Sequence, residues 1–106
     1  MANSSFENQN RAWIYGGSGG SYQLPTKWKE ILILAYYTDT NSNWSYTITI
    51  PNVTDALGKR YFSGFYANSG SNFVAFQELN GTITHQSFFV DGTDKKASSN
   101  VKYYYR

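Results

Sequence analysis

A chain of 106 residues fits one domain with a single core, and a body this small buries about two-thirds of the surface its unfolded form exposes. Aromatic residues make up 19% of it, ten of them tyrosines, whereas charged residues reach only 15%, against about 25% in an average soluble domain. A net charge of +2 on dispersed basic residues, no cysteine and no apolar run near the roughly 20 residues of a membrane helix argue against nucleic acid, disulfide or thiolate-zinc staples and membrane insertion.

Residues 1–10 are polar and rich in Asn and Ser, and read as a flexible lead-in, with Met1-Ala2 of the kind that cloning adds. The domain proper is expected over 11–106. A short strand over 11–15 leads into Gly16-Gly17-Ser18-Gly19-Gly20, which fixes no backbone geometry. This run reads as a flexible connector, either a natural hairpin loop or an inserted Gly-Ser linker. The stretch 31–37 is apolar at every position, as a central strand covered on both faces would be. In 44–50 the alternation is strict, with Trp44, Tyr46, Ile48 and Ile50 on a core face and Ser45, Thr47 and Thr49 on a wet one. The polar segment 38–43 has hairpin-loop length, so these two strands are expected to pair antiparallel.

Pro51 ends that strand, 52–59 forms a loop or one helical turn, and 60–66 resumes an aromatic strand. After a turn at 68–71, strands over 73–79 and 82–90 flank Asn80-Gly81, the dipeptide best suited to the positive φ angles of a type I′ hairpin turn. Asp91-Gly92 opens a polar loop reaching 100, and 101–105 closes the chain as a strand with Val101, Tyr103 and Tyr105 on one side. Seven strands joined by polar turns give an all-β fold, a two-sheet antiparallel β-sandwich.

Little in this sequence points to catalysis. His85 is the only histidine, placed on a strand face with Ile83, Ser87 and Phe89, and no helper residue is singled out for a triad or an imidazole metal site. The seven carboxylates select no glycosidase-type pair by spacing, and most fall in predicted loops, where solvated charge is the default. Asp39-Thr40-Asn41-Ser42-Asn43 begins like a calcium loop, but Trp44 stands where a glycine is needed and Ile50 where the closing glutamate belongs. Lys59-Arg60-Tyr61-Phe62-Ser63-Gly64-Phe65 fits the RNA-binding RNP pattern poorly and reads as a strand with core aromatics. Sequons begin at Asn3, Asn43, Asn52 and Asn80, and are read as chance triplets in an Asn-rich chain. The expectation is therefore a non-enzyme with no catalytic residue, no metal and no cofactor.

What stands out is aromatic surplus: Trp13, Trp28, Trp44, Tyr36, Tyr37, Tyr66 and Tyr103-Tyr104-Tyr105 exceed what one small core holds. Tyr and Trp offer large, rigid contact area with a polar handle, suited to sugar platforms and protein interfaces alike. The loops 38–43, 68–71 and 91–99 are the expected contact regions. The candidate ligand-binding residues are Tyr36, Asp39, Asn41, Asn43, Trp44, Tyr66, Asn68, Asp91 and Asp94.

Leu24-Pro25, Trp28-Lys29-Glu30-Ile31, the 44–50 strand ending in Pro51, Arg60-Tyr61-Phe62 followed by Gly64-Phe65-Tyr66, and the Tyr103-Tyr104-Tyr105-Arg106 end carry a resemblance. Over about 24–106 the chain resembles C-terminal domains of phage and prophage tail proteins from Gram-positive gut bacteria. Such domains sit at the tips of tail fibres and recognise the host surface. The resemblance implies a β-sandwich, a homo-oligomer such as a trimer, and a place on a virion tail or otherwise outside the cell. The functional expectation is a recognition or adhesion module for a bacterial cell-surface glycan or protein. Its alternatives are a structural, oligomerising fibre tip and a carbohydrate-binding module of a secreted enzyme.

Overall fold

The computed structural model describes residues 11–40, 43–68 and 70–106; the expected lead-in over 1–10 and the candidate Asn41 lie outside them. The strands in chain order are β1 (Ile14–Ser18), β2 (Ser21–Gln23), β3 (Glu30–Thr38), β4 (Asn43–Pro51), β5 (Arg60–Phe65), β6 (Asn72–Leu79), β7 (Thr82–Val90), β8 (Thr93–Asp94) and β9 (Asn100–Tyr105). They form two antiparallel sheets, one in the order β1-β9-β3-β4 and the other β2-β7-β6-β5, with β8 also paired to β7. The sandwich is as expected. It has more strands than the seven predicted because Ser21–Gln23 and Thr93–Asp94 each find a ladder partner in β7.

The core lies where the inward faces of the two sheets meet. From β3 come Ile31, Ile33, Ala35 and Tyr37, from β4 Ile48 and Ile50, and from β9 Val101 and Tyr103. Opposite them stand Val74 and Phe76 of β6 and Ile83, Phe88 and Val90 of β7. Each such large side chain contributes about 1.5–3 kcal/mol on burial. β3 is central in its sheet, as its apolar sequence suggested, but only its odd-numbered residues are buried; Leu32, Leu34 and Tyr36 are half-exposed on the outer face. β4 alternates as read, with Ser45, Thr47 and Thr49 exposed.

The glycine run is neither a hairpin loop nor a flexible connector. Gly16, Gly17 and Ser18 belong to β1, in which Gly17 and Ser18 pair with β9 and Gly16 is the bulged residue, whereas β2 pairs with β7, so the chain crosses between sheets at Gly19-Gly20. Glycine is required at Gly16 because a Cβ there would overlap the Tyr22 hydroxyl. Tyr22 in turn stacks on Tyr103 at 4.7 Å across the sandwich, and the Tyr103 hydroxyl donates to the Gly19 carbonyl at 2.8 Å. The missing side chain at Gly16 lets the two aromatic rings meet between the layers.

Asn80-Gly81 makes the expected hairpin turn, with φ of 51° and 84°. Asp91-Gly92 repeats it with φ of 49° and 83°, folding β8 back on β7, so the region read as a long loop begins with a second tight hairpin. One irregularity changes which residues face outward. Ala75 pairs with Ser87 but Phe76 pairs with His85, so Gln86 is an extra residue in β7. This bulge inverts the alternation beyond it: His85 and Phe88 both point inward and Phe89 points out, not onto the face of His85 as the unbroken pattern implied.

Candidate binding surface

Adjacent aromatics in a strand must place one ring on each side of the sheet. In Tyr61-Phe62 the tyrosine packs on the core and its hydroxyl donates to the Ala56 carbonyl, while Phe62 stands outside, 52% exposed. Phe88-Phe89 divides in the same way beyond the bulge. Phe73, the second residue of β6, lies opposite Phe89 in the ladder, and the two rings stack at 4.7 Å with 12° between their planes. Phe62 and Tyr66 flank Phe73 at 5.1 and 5.6 Å between centroids. The result is a contiguous aromatic patch on the outer face of the second sheet. Phe73 is its hub, 6% exposed beneath the others, and Tyr66 is 78% exposed.

Gly64 makes room for this arrangement. It lies opposite Phe73 with φ of 115°, and a Cβ there would overlap the Asn72–Phe73 backbone. Beside the patch opens a cleft of about 430 Å³ lined by Tyr66, Ala67, Asn68, Gly70, Ser71, Phe89, Asp91 and Gly92. Its walls are tied together. The Ser71 hydroxyl donates to the Ala67 carbonyl at 2.7 Å and accepts from the Ala67 amide at 2.9 Å. Asn72 donates through Nδ2 to the Gly70 carbonyl at 2.8 Å and accepts the Asp91 amide at 2.9 Å, and Gly92 N–H donates to the Ser71 carbonyl at 2.9 Å. Asn72 is buried, so it clamps the 66–71 loop to the 91–92 turn from below. Asn68 and Asp91 remain exposed on the rim.

Three of the sequence candidates, Tyr66, Asn68 and Asp91, are thus brought together in one place. The other described candidates lie elsewhere in the fold. Trp44 turns inward against the core, with its indole Nε1 buried and lacking a hydrogen-bond partner among the described residues. Asn43 accepts from the Thr38 hydroxyl at 3.0 Å, closing the β3–β4 hairpin, and Asp39 accepts from the Tyr37 hydroxyl at 3.2 Å. Asp94 accepts the Phe88 and Lys96 amides at 3.3 and 2.9 Å, ordering the turn after β8. Tyr36 lies on the outer face of the other sheet with the Lys102 ammonium 6.0 Å from its ring centre. Trp28, Tyr37 and Tyr103, counted among the surplus aromatics, are core residues.

Sequence reasoning missed Phe62, Phe73 and Phe89. The doublets Tyr61-Phe62 and Phe88-Phe89 were the available signal, since one member of each has to leave the core. His85 is buried between the sheets. Its ring stacks on Phe76 at 4.6 Å, its Nε2 lies 3.1 Å from the Ser87 carbonyl, and burial holds it below its ordinary pKa. Glu78, on β6, is the one carboxylate in that strand. It is 3% exposed and accepts the Gly58 and Gly81 amides at 2.6 and 2.8 Å.

Among the described residues no group of three or more His, Cys, Asp or Glu side chains is placed to hold a metal ion, and no helix is long and apolar enough to cross a membrane. Comparison of the chain with protein-family models, curated proteins and solved structures returned no match.

Proposed function

We propose that the domain is a non-catalytic recognition module that binds a cell-surface glycan at the Tyr66 patch and its adjoining cleft. The observation that carries this reading is the pairing of exposed, contiguous rings with a hydrogen-bonded polar rim. A pyranose presents an apolar C–H face and a girdle of hydroxyls, so it can lie on Tyr66, Phe62 and Phe89 while Asn68 and Asp91 take hydrogen bonds from its edge. The hydrogen bonds by which Ser71 and Asn72 hold Ala67, Gly70 and Asp91 support the reading too, because groups held in place before binding lose little entropy on contact. The resemblance to tail-tip domains supports a position on a virion tail or another extracellular structure, with a bacterial surface polysaccharide as the glycan.

The test is saturable attachment of the purified domain to intact bacteria and to their isolated surface polysaccharides. Tyr66→Ala and Asp91→Asn are expected to weaken binding at least about tenfold, equivalent to about 1.4 kcal/mol, while Tyr36→Ala on the opposite sheet leaves it unchanged. Attachment that survives removal of the polysaccharide would transfer the surface to a protein receptor. No attachment to any host would favour the structural fibre-tip alternative.

A further inference from the structure

Four strands besides β4 border the two sheets, and each is blunted. β1 carries a register shift between Tyr15 and Gly17, β2 and β8 are two or three residues long, and β5 begins with Arg60 and is broken by the positive φ of Gly64. Long, flat, uncharged edges are the ones that recruit another strand, and proteins guard them by these devices. β4 has none in its interior. Its nine residues, Asn43–Pro51, include no charge and pair with β3 in unbroken register, and no described strand pairs with its other side.

The phase of the ladder shows which backbone groups are open. Glu30 and Arg106 exchange hydrogen bonds of 2.9 and 3.1 Å across β3 and β9, and the Asn52 amide donates to the Lys29 carbonyl at 2.8 Å. Odd-numbered residues of β3 therefore face β4. With Ile31 opposite Ile50 and Ile33 opposite Ile48, the even-numbered residues of β4 are used by β3. The N–H and C=O groups of Asn43, Ser45, Thr47 and Thr49 point to the open side.

We propose that this edge pairs with β4 of a second copy of the chain, antiparallel about a two-fold axis at Thr47, joining two four-stranded sheets into one. The pairing is independent of the glycan-binding reading. The sequence is self-complementary in that register. Thr47 meets Thr47 and Ser45 meets Thr49 as hydrogen-bonded pairs on the wet face, while Trp44 meets Ile50 and Tyr46 meets Ile48 on the core side, matching aromatic to β-branched residues. Pro51, which lacks an N–H, falls at the end opposite Asn43 and removes only one bond there. No like charges meet. β5 contacts β4, and its Phe65, opposite Asn72 on the inward face, is 55% exposed. Such an edge is consumed by one partner, so assembly stops at two.

Light scattering over a concentration series tests this. The expected species is a dimer, and both Thr47→Lys, which sets two ammonium groups against each other, and Thr47→Pro, which deletes an amide used only at the open edge, are expected to weaken association at least about tenfold. Far-UV circular dichroism should stay unchanged, since the Thr47 side chain is exposed and its backbone is not bonded within the chain. Because the chain contains no cysteine, Thr47→Cys should cross-link with a short bismaleimide, and Thr84→Cys on the other sheet should not. A monomer at all concentrations, an oligomer larger than two, or a dimer that survives both Thr47→Lys and Thr47→Pro would overturn the proposal.

Discussion

Replacing Glu78 by Gln isolates the contribution of a carboxylate that joins two loops. Glu78 follows the inward-facing Val74 and Phe76 along β6, and its two oxygens accept the Gly58 amide at 2.6 Å and the Gly81 amide at 2.8 Å, linking the start of β5 to the β6–β7 turn. Hydrogen bonds to a charged group are each worth about 1.5–3 kcal/mol, and a buried donor left unpaired costs about 1–3 kcal/mol. Gln keeps one acceptor oxygen but turns an NH₂ group toward the second amide. One charge-assisted bond becomes neutral and the other is replaced by two facing donors, so the expected loss is about 2–4 kcal/mol. In a domain of this size that lowers Tm by roughly 10–25 °C. Urea unfolding followed by tryptophan fluorescence gives the free energy, and amide hydrogen exchange at Gly58 and Gly81 locates the lost protection. A further signature lies in Tyr61, whose phenol is raised above its usual pKa by burial first and by the Glu78 charge second. In the Gln variant it should titrate lower. A variant within 0.5 kcal/mol of the parent, with both glycine amides still protected, would refute the reasoning.

Gly16→Ala is expected to cost about 1–3 kcal/mol, because its Cβ displaces Tyr22 from the ring it stacks on; Gly20→Ala, where a Cβ meets nothing, serves as the thermal-melt control. His85 gives a pH dependence of defined sign. Desolvation lowers its folded pKa below 6.5, so the unfolded chain binds the proton more readily; stability holds above about pH 6.5 and falls as pH drops below it, by at most about 1.4 kcal/mol per unit, until the folded pKa is reached. Melting curves against pH should lose this component in His85→Leu. Phe73→Ala, which removes the hub of the outer patch without touching the core cluster, should cost about 3 kcal/mol or less in stability and reduce glycan binding at least as much as Tyr66→Ala; retained binding would count against the patch.

Strand alternation and turn chemistry act over a few residues, and both were legible. The two faces of β4, the Asn80-Gly81 turn and the all-β sandwich follow from the spacing of Trp44, Tyr46, Ile48 and Ile50 and from a dipeptide tolerant of positive φ. Other features depended on partners distant in the chain. Gly16 and Gly17 entered a strand because β9 offered a ladder and Tyr22 needed the space, and neither fact is written in a run of glycines. Glu78 could be buried because Gly58 and Gly81 bring it amides from two other loops. The extra residue at Gln86 reversed the outlook of Phe89, since a period-two pattern has no memory of its phase beyond a bulge. Tyr66, Asn68 and Asp91 could be singled out by type and loop position, but only pairing between strands set Phe73 among Phe62, Tyr66 and Phe89 and so made a surface of them.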